Sequence, residues 1–366
     1  MTFFIGLMSG TSADGIDAAL VSFAEKISLI EYQEIPLPVE IQKKLAVMRS
    51  KKDTIPLTKI AELDIQLGRL FADASLRLIK LSRINHDDII AIGSHGQTVF
   101  HSPLSPTPFS LQLGDPNTIA LETGITTVAD FRNMDISAGG QGAPLTPGFH
   151  EALFRKENIN RIVLNLGGIA NMTLLPGDTD KAVTGFDTGP ANALMDEWIL
   201  EYSGETFDQD GLWGQSGHLI PDLLRSLLDD DFFIAPPPKS TGREYFNSGW
   251  LYKKIDGKSY PPEDVQATLQ HLTVQSISRA IRQYGQDSEE IIICGGGCHN
   301  DHLIKLLIDA LPEMTINTTA SYGFNPDCIE AMAFAWLANR RLTNLPGNIP
   351  SVTGARQPVL LGGIYG

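Results

Sequence analysis

The chain has 366 residues and carries 28 lysines and arginines against 43 aspartates and glutamates, for a formal net charge of −15. That charge would repel a polyanion, which argues against nucleic acid as a partner, and the length allows two domains because single cores rarely grow beyond about 250–300 residues. With only three cysteines, no apolar run approaching ~18 residues and no cationic lead to its apolar start, the chain is expected to be cytoplasmic and without membrane contact.

The first half of the chain is predicted to alternate strands and helices. It opens with a hairpin over 3–22, in which two apolar strands flank a polar turn, and a further strand follows at 27–38. Apolar residues at helical spacing predict a helix over 57–81. Further strands are predicted at 89–101, 110–115 and 126–130. The glycine-rich segment 138–147 is predicted to be a flexible loop where the chain crosses between domains.

The second half repeats this alternation. It opens with its own hairpin over 161–175, and 181–203 is predicted to form a strand, a turn and a helix with Pro190 as the first helical residue. The remaining predicted elements are a rigid loop at 235–247, a helix at 266–284, a strand at 290–294, a helix at 328–342 and a strand or arm at 358–366 that returns to the first half. Strands alternating with helices in both halves predict an α/β fold.

Each half contains a hairpin turn rich in Gly, Ser, Thr and Asn: GLMSGTSADGID over 6–17 and NLGGIANMT over 165–173. For either turn alone, the simpler interpretation is a plain hairpin whose polar side chains bond their own backbone. Such turns also expose backbone N–H groups that can cradle phosphate. Because one opens each half, the pair predicts a duplicated α/β architecture that holds the ATP phosphates from both sides, with Asp14 or Asp17 facing metal, water or sugar.

The segment CGGGCHN, at 294–300, follows an apolar strand and has two interpretations. Two cysteines and a histidine suggest zinc, but structural zinc sites use a shorter cysteine spacing and a second pair of ligands, and Cys328 is the only other cysteine. Close approach of the backbone to the adenine and ribose of ATP explains a glycine triplet better. The predicted ATP contacts here are Gly295, Gly296, Gly297 and Asn300.

Asp187, in GFDTGPANALMD, is the predicted general base. Its alternative role is that of a helix N-cap, but with Pro190 at the first helical position the cap falls on Gly189. Asp187 is then expected on the preceding turn, at the carboxyl end of a strand and beside a helix N-terminus. Open α/β sheets bind their ligands at such places.

Four further residues are candidates for binding a sugar substrate. His95 is one of two histidines that flank GQTV, and a structural histidine bonded to backbone is the commoner state. Asp130 and Arg132 form either a surface ion pair or, in the case of Arg132, a bidentate site for a carboxylate. Glu330 begins a predicted helix, where it either complements the helix dipole or accepts a bond from a sugar hydroxyl.

Two other cations are alternatives to Arg132 as the partner of a substrate carboxylate. Lys239 and Arg243 both lie in PPPKSTGRE, the predicted rigid loop of the second half. A metal site built from the two histidines near GQTV is disfavoured, because no further ligands accompany them.

Together these motifs resemble the anhydro-N-acetylmuramic acid kinase family, which has the duplicated actin-like, hexokinase-like fold. The resemblance runs from the first residues to the terminal LLGGIYG and also includes GSHGQTVFH, DFRNMDISAGGQGAPL and EAMAFAWLA. It implies two ribonuclease H-like domains with a nucleotide cleft between them. We expect one domain at 1–135 plus 345–366, and the other at 136–344.

The resemblance also implies a reaction: ATP converts 1,6-anhydro-N-acetylmuramic acid to N-acetylmuramic acid 6-phosphate during recycling of bacterial peptidoglycan. The family's catalytic aspartate corresponds to Asp187, which removes a proton from the water that attacks the anomeric carbon. The departing O6 takes the γ-phosphoryl group, so the chemistry joins half of an inverting glycosidase to a kinase. The family tends to form homodimers.

The family's ATP-binding stretch falls on the first turn. The implied contacts are Gly10, Thr11, Ser12, Ala13, Asp14, Gly15, Ile16 and Asp17, with Asn165, Gly167 and Gly168 in the second turn. Many kinases of this superfold carry an aspartate where this chain has Met8, so Mg²⁺ is expected to bind through waters, ATP oxygens and a later aspartate. Two rival functions on the same scaffold are a sugar-responsive regulator and a chaperone-like ATPase.

Overall fold

The computed structural model describes residues 2–10, 13–50 and 55–366. Thr11 and Ser12, two of the predicted ATP contacts, lie outside the described residues. The described part of the chain divides into two compact units, one formed by Met1–Phe149 with Asp327–Gly366 and the other by His150–Pro326.

Strands and helices alternate through both units. The described strands are β1 (Phe3–Ser9), β2 (Gly15–Ser22), β3 (Ser28–Pro36), β4 (Ile89–Ser102), β5 (Phe109–Leu113), β6 (Thr127–Ala129), β7 (Arg161–Leu166), β8 (Ile169–Leu175), β9 (Thr184–Pro190), β10 (Glu290–Cys294), β11 (Thr315–Thr318) and β12 (Gly363–Tyr365). The helices are α1 (Val39–Ser50), α2 (Leu57–Ser82), α3 (Pro116–Thr123), α4 (Phe131–Ser137), α5 (Pro147–Phe154), α6 (Asn192–Ser203), α7 (Leu212–Ser216), α8 (Pro221–Leu228), α9 (Asp231–Ile234), α10 (Ser248–Ile255), α11 (Pro262–Tyr284), α12 (Asp301–Ala310), α13 (Ile329–Leu342) and α14 (Pro350–Thr353). No helix among them is both long and apolar enough to cross a bilayer.

The two units share one sheet plan. In the first, β1, β2 and β3 form an antiparallel meander, β4 runs parallel to β1, and β6 runs parallel to β4. In the second, β7, β8 and β9 form the meander, and β10 and β11 follow in parallel. The strand order is β12-β6-β4-β1-β2-β3 in the first sheet and β11-β10-β7-β8-β9 in the second. The fold is therefore the predicted duplicated α/β architecture.

Helix α13 packs its backbone against the first sheet at two glycines. A Cβ on Gly6 would lie 1.8 Å from the carbonyl oxygen of Ala331, and one on Gly93 would lie 2.0 Å from that of Phe334. This contact assigns 329–342 to the first unit, whereas the predicted boundaries assigned it to the second. The compact units change over at 149/150 and 326/327, and not at 135/136 and 344/345.

The strands at the centre of each sheet are buried along their whole length. All seven residues of β1 and all six of β7 are buried, which matches their continuous apolar character in the sequence. In the second unit, α11 contributes Leu269, Leu272 and Ile277 to the core beside β7 and β10. The predicted helix at 266–284 and strand at 290–294 are both confirmed, as is the return of the C-terminal segment, since β12 pairs with β6.

One local prediction was wrong. Pro190 is the last residue of β9 and not the first residue of a helix, because β9 continues its pairing with β8 as far as Ile169 and α6 begins only at Asn192. The segment 138–147 is a loop as far as α5, as predicted, and hydrogen bonds hold it in place. Gln141 N–H donates to Thr353 O at 2.8 Å, and Gly142 N–H donates to Asp135 Oδ2 at 2.8 Å.

Candidate active site

A β-bulge lies next to Asp187 in the second sheet. Asn171 of β8 pairs with Asp187, but the neighbouring Ala170 pairs with Gly189, so Thr188 is an extra residue on β9. Gly189 has φ of +149°, a value that side-chain-bearing residues rarely adopt. Bulges often redirect side chains beside functional sites. Asp187 therefore lies within a strand, next to a bulge, and not on the turn before a helix as predicted.

The Asp187 side chain is held by the loop that follows α9. Asp187 is 8% exposed, and its Oδ2 accepts a hydrogen bond from Thr241 N–H at 2.8 Å. Its backbone N–H donates to Lys239 O at 3.1 Å. The loop thus holds the Asp187 carboxylate through Thr241 N–H and the Asp187 backbone through Lys239 O.

Lys239 supplies positive charge near this carboxylate. Its ammonium donates to Phe232 O at 2.8 Å and lies 4.6 Å from the centre of the Phe232 ring. Burial lowers the pKa of Lys239, and the charge of Asp187 acts in the opposite direction. The other predicted alternative, Arg243, has its guanidinium 3.9 Å from Asp196 and 4.0 Å from Glu197, two carboxylates of α6.

A row of polar residues crosses the second sheet. Cys294 pairs with Asn165, Asn165 with Asn171, and Asn171 with Asp187. Directly paired residues project from the same face of a sheet, so these four side chains form one line over β10, β7, β8 and β9. Cys294 Sγ donates to Asn165 Oδ1 at 3.8 Å. The row places Asn165, a predicted ATP contact, in line with Asp187.

The second turn is only two residues long and is fixed by helix α6. Gly168 O accepts hydrogen bonds from the N–H groups of Ala191 and Ala193, each at 3.0 Å, and Gly167 O accepts from Asn192 N–H at 3.1 Å. Gly167 and Gly168 therefore adopt a turn that the helix N-terminus holds by its backbone.

Internal packing explains two glycines of the triplet. Gly295 has φ of +82°, and a Cβ there would lie 2.3 Å from Asn165 Oδ1, while a Cβ on Gly297 would lie 2.7 Å from Leu166 Cβ. Gly296 is exposed and has open space around it. Asn300 caps α12, because its Oδ1 accepts from Leu303 N–H at 2.9 Å. Of these four predicted ATP contacts, Gly296 alone has no contact near its Cβ position.

The first turn is held by side chains. Gln97 Nε2 donates to Gly10 O at 3.0 Å, and the Ser9 hydroxyl lies 2.8 Å from Gln97 Oε1 and 2.9 Å from Gly15 O. Ala13 has φ of 57°, and its N–H donates to Gly10 O at 3.2 Å. The sequence did not reveal that Ser9 and Gln97 hold this turn, although Ser9 lies in GLMSGTSADGID and Gln97 in GSHGQTVFH.

A group of carboxylates surrounds Asp17, two residues into β2. The pKa of Asp17 is raised to about 7, mainly by burial and further by the charges of Glu34, Glu330 and Asp14, while a hydrogen bond from Tyr32 opposes the rise. The Tyr32 hydroxyl donates to Asp17 Oδ1 at 2.6 Å. Two predicted site residues, Asp17 and Glu330, are thus electrostatic neighbours.

Buried His95 orients Arg132. His95 Nδ1 lies 2.8 Å from Gly96 O, and its Nε2 accepts from Arg132 Nε at 3.1 Å and Nη2 at 2.8 Å. Because guanidinium only donates and a carbonyl only accepts, the proton is on Nδ1 and the ring is neutral. Burial, followed by the charge of Arg132, holds the pKa of His95 well below its usual range. Arg132 Nη1 also donates to Gly142 O at 2.7 Å.

Asp130 stands just before α4 in the left-handed conformation, with φ of 60°. Its Oδ1 accepts from Asn133 Nδ2 at 2.7 Å, and Asn133 in turn bonds the backbone of Ser110. Burial raises the pKa of Asp130. The predicted sugar contacts His95, Asp130, Arg132 and Glu330 all belong to the first unit, and the predicted base belongs to the second.

Comparison with known proteins gives one consistent result. A family model described as anhydro-N-acetylmuramic acid kinase matches residues 2–366. An anhydro-N-acetylmuramic acid kinase of Coxiella burnetii is 48% identical over 362 residues, covering 99% of this chain and 97% of the relative. One of Aliivibrio fischeri is 49% identical over 368 residues, covering 100% and 99%.

Solved structures with a related chain course are more distant. The activator of the 2-hydroxyisocaproyl-CoA dehydratase from Clostridium difficile, with bound ADPNP, has a TM-score of 0.46 and 10% identity, covering 94% of this chain and 96% of its own. A ROK family glucokinase from Streptomyces griseus, in complex with glucose and AMPPNP, has a TM-score of 0.42 and 12% identity, covering 92% and 99%.

Proposed function

Because the chain belongs to the anhydro-N-acetylmuramic acid kinase family, we propose that Asp187 is the base of the reaction which that family catalyses. The protein is an ATP-dependent kinase of cell-wall recycling. It opens 1,6-anhydro-N-acetylmuramic acid hydrolytically and phosphorylates it to N-acetylmuramic acid 6-phosphate. In chemical class it is a phosphotransferase with an alcohol group as acceptor.

The proposed step balances with a single carboxylate base. Asp187 takes a proton from water while the water oxygen bonds to the anomeric carbon and the bond from that carbon to O6 breaks. O6 then bonds to the γ-phosphorus of ATP, whose bond to the bridging oxygen of ADP breaks. No general acid is needed, because phosphorus and not a proton captures the departing oxygen.

The observation that carries this assignment is the buried, backbone-anchored carboxylate of Asp187. Thr241 N–H fixes its Oδ2 at 2.8 Å, and the bulge at Thr188 sets the course of β9 beside it. A base held by backbone groups needs little reorganisation during the reaction. Lys239 adds a positive charge that interacts with the Asp187 carboxylate.

We propose that the two glycine turns hold the ATP phosphates and that Gly296 leaves room for the adenosine. The contacts in this proposal are the predicted residues of the first turn together with Asn165, Gly167, Gly168 and Gly295–Gly297. The exposed backbone at Gly296 supports it most directly. That the nucleotide lies between the two domains stays a prediction, as do the homodimer and the cytoplasmic location.

The carboxylates near the first turn suit a magnesium ion. Mg²⁺ prefers carboxylate oxygens and keeps several waters, and Asp17 has the carboxylates Glu34, Glu330 and Asp14 among its electrostatic neighbours. We propose that Asp14 and Asp17 hold Mg²⁺ through waters. When bound, the ion supplies positive charge against the phosphate oxygens.

Arg132 is proposed to bind the lactyl carboxylate of the sugar, with Asp130 and Glu330 binding its hydroxyls. Neutral His95 accepts from two nitrogens of the guanidinium and so orients it without cancelling its charge. A rigidly held guanidinium binds a carboxylate with less loss of side-chain freedom.

A coupled assay for ADP release, with and without 1,6-anhydro-N-acetylmuramic acid, tests the proposed function. A kinase releases ADP only when both ATP and the sugar are present. A chaperone-like ATPase would release ADP without sugar, and a sugar-responsive regulator would bind the sugar without turnover. Either of these two results would reject the proposal.

A further inference from the structure

The carboxylate of Asp230 joins the two ends of the loop that holds the proposed base. This loop, 235–247, connects α9 to α10, and the Asp230 side chain is only 9% exposed. Its Oδ1 accepts hydrogen bonds from Phe232 N–H at 3.1 Å and from the Tyr245 hydroxyl at 2.9 Å. Its Oδ2 accepts from Trp250 Nε1–H at 2.9 Å. One side chain therefore bonds residues before, at the end of and after the loop.

The contacts of Asp230 keep it ionised. Burial acts to raise its pKa, but hydrogen bonds, led by that of Trp250, and the charge of Lys254 outweigh burial and leave the pKa below its usual value. The Lys254 ammonium lies 3.9 Å from Oδ2. An ionised carboxylate only accepts, so it can bond all three donors at once, and such charge-assisted bonds are stronger than neutral ones.

A first path leads from Asp230 to Asp187 through the start of the loop. Asp230 fixes the backbone of Phe232 through its N–H, and the Phe232 carbonyl accepts from the Lys239 ammonium at 2.8 Å. Lys239 O in turn accepts from Asp187 N–H at 3.1 Å. Lys239 thus connects the end of α9 to the backbone of the proposed base.

A second path leads from Asp230 to Asp187 through the end of the loop. The Tyr245 hydroxyl donates to Asp230, and the Tyr245 backbone N–H donates to Gly242 O at 3.0 Å. Gly242 directly follows Thr241, whose N–H donates to Asp187 Oδ2 at 2.8 Å. This path therefore ends at the hydrogen bond that holds the carboxylate of the proposed base.

We propose that Asp230 is a positioning residue that fixes the orientation of the Asp187 carboxylate. Its two paths end at the two loop groups that bond Asp187, one at Lys239 O and the other at Thr241 N–H. The role requires neither contact with a substrate nor transfer of a proton by Asp230. The inference rests on the proposed function of Asp187 as the base. Displacing a reacting group by about 1 Å can lower a rate about 10²-fold.

Asp230→Asn tests the proposal in the full chain. The amide keeps the shape of the carboxylate but turns an NH₂ group toward one of the three donors. We expect kcat to fall about 10- to 100-fold, with KM for ATP and for the sugar within about threefold. The acid limb of kcat/KM should move to higher pH, because a weakened bond from Thr241 N–H favours the ionised form of Asp187 less.

Tyr245→Phe interrupts the second path alone. It should lower kcat about three- to tenfold and move the acid limb in the same direction. Tyr252→Phe is the matched control and should change neither quantity. Tyr252 is 40% exposed against 44% for Tyr245, and its hydroxyl also donates to a carboxylate of the second unit, that of Glu201 in α6. Thermal unfolding of each variant checks that it is folded at the assay temperature.

The outcomes separate this inference from the proposed function. Activity of Asp187→Asn close to that of the unmodified protein would reject the base itself. If Asp187→Asn is inactive, an unchanged kcat and acid limb in Asp230→Asn and Tyr245→Phe would reject only the inference. A lower kcat with an unmoved acid limb would make the role of Asp230 merely structural and would also overturn it. If Asp230→Asn does not fold, Tyr245→Phe and its control carry the same test.

Discussion

The antiparallel meanders of the two units have the same strand order but hold their turns differently. Five residues separate β1 from β2, and the Gln97 side chain of β4 donates a hydrogen bond to Gly10 O in this turn. Two glycines separate β7 from β8, and backbone N–H groups of α6 bond that turn. The turn of the first meander is therefore stabilised by side chains, and the turn of the second meander is stabilised by the N-terminus of α6.

The acidic residues of the two meanders differ as well. Asp17, on the second strand of the first meander, lies among Asp14, Glu34 and Glu330, and its pKa is raised to about 7. Asp187, on the third strand of the second meander, faces an amide neighbour and a lysine. A pKa near 7 is typical of general bases. The pKa criterion therefore selects Asp17 as the base, whereas the position in the fold selects Asp187. The variants below decide between them.

The largest effect is expected from Asp187→Asn, with Asp17→Asn as its counterpart. Asp187→Asn should lower kcat by at least about 10³-fold, because the attacking water loses its base, while ATP and sugar still bind. Asp17→Asn should chiefly weaken nucleotide binding and raise the Mg²⁺ requirement. Steady-state kinetics with calorimetric binding of ATP measures both. The reverse pattern would make Asp17 the base.

The glycines of the two units should differ in what they tolerate. Gly6→Ala places a Cβ 1.8 Å from the Ala331 oxygen, so it should cost about 3 kcal/mol of unfolding free energy or more, since helix α13 must move. Gly296→Ala has open space and should change stability by less than about 0.5 kcal/mol. Denaturant unfolding measures both. Equal losses would contradict the packing described for α13.

Arg132 of the first unit and Lys239 of the second are alternative partners of the lactyl carboxylate. Arg132→Ala should raise KM for the sugar about 10- to 100-fold and leave KM for ATP within about threefold, because a charge-assisted bond to the sugar is lost. Initial rates with each substrate varied in turn measure this. Equal effects on both substrates would point to Lys239 or Arg243, and Lys239→Ala is then the next variant.

The smallest effects concern two histidines, one in each unit, whose pKa is lowered. Burial lowers the pKa of His101 to about 4 and that of His150 to about 3. Both stay neutral when folded and take a proton when unfolded, so each removes stability as pH falls below the unfolded pKa of about 6.5, by about 1.4 kcal/mol per pH unit. The loss ends near pH 4 for His101 and near pH 3 for His150.

His101→Gln and His150→Gln should each reduce this acid sensitivity, as measured by the free energy of unfolding between pH 7 and pH 4. The difference in slope from the unmodified protein is the quantity to compare, since the substitutions also change packing. An unchanged slope in either variant would show that the histidine is protonated in the folded chain.

Much of the fold follows from local sequence. The apolar runs of β1, β7 and β10 predict strands because both of their faces are buried, and the spacing in α11 predicts its helix. The prediction that Pro190 begins a helix was wrong because it used only the local preference of proline for the first helical position. The pairing of β9 with β8 depends on a partner strand, which the local sequence does not show.

The site depends more on distant contacts than the elements do. The residues of both glycine turns can be proposed from composition, but the bond from Gln97 to Gly10 joins positions 87 apart. Asn171 lies inside a quoted motif, yet only strand register pairs it with Asp187. The Asn300 side chain caps α12 by accepting from Leu303 N–H, and Gly297 packs against Leu166. The spacing of residues along the sequence indicates neither contact.

The first unit combines both ends of the chain, with the second unit inserted between Phe149 and Asp327. During synthesis, His150–Pro326 is complete before the helix Ile329–Leu342 has left the ribosome. Until that helix emerges, Gly6 and Gly93 of the first sheet lack the α13 backbone that packs against them in the folded protein. We expect ribosome-bound chains in which 150–326 has left the exit tunnel and 329–342 has not to resist protease in the inserted unit and to be cleaved in the first 149 residues.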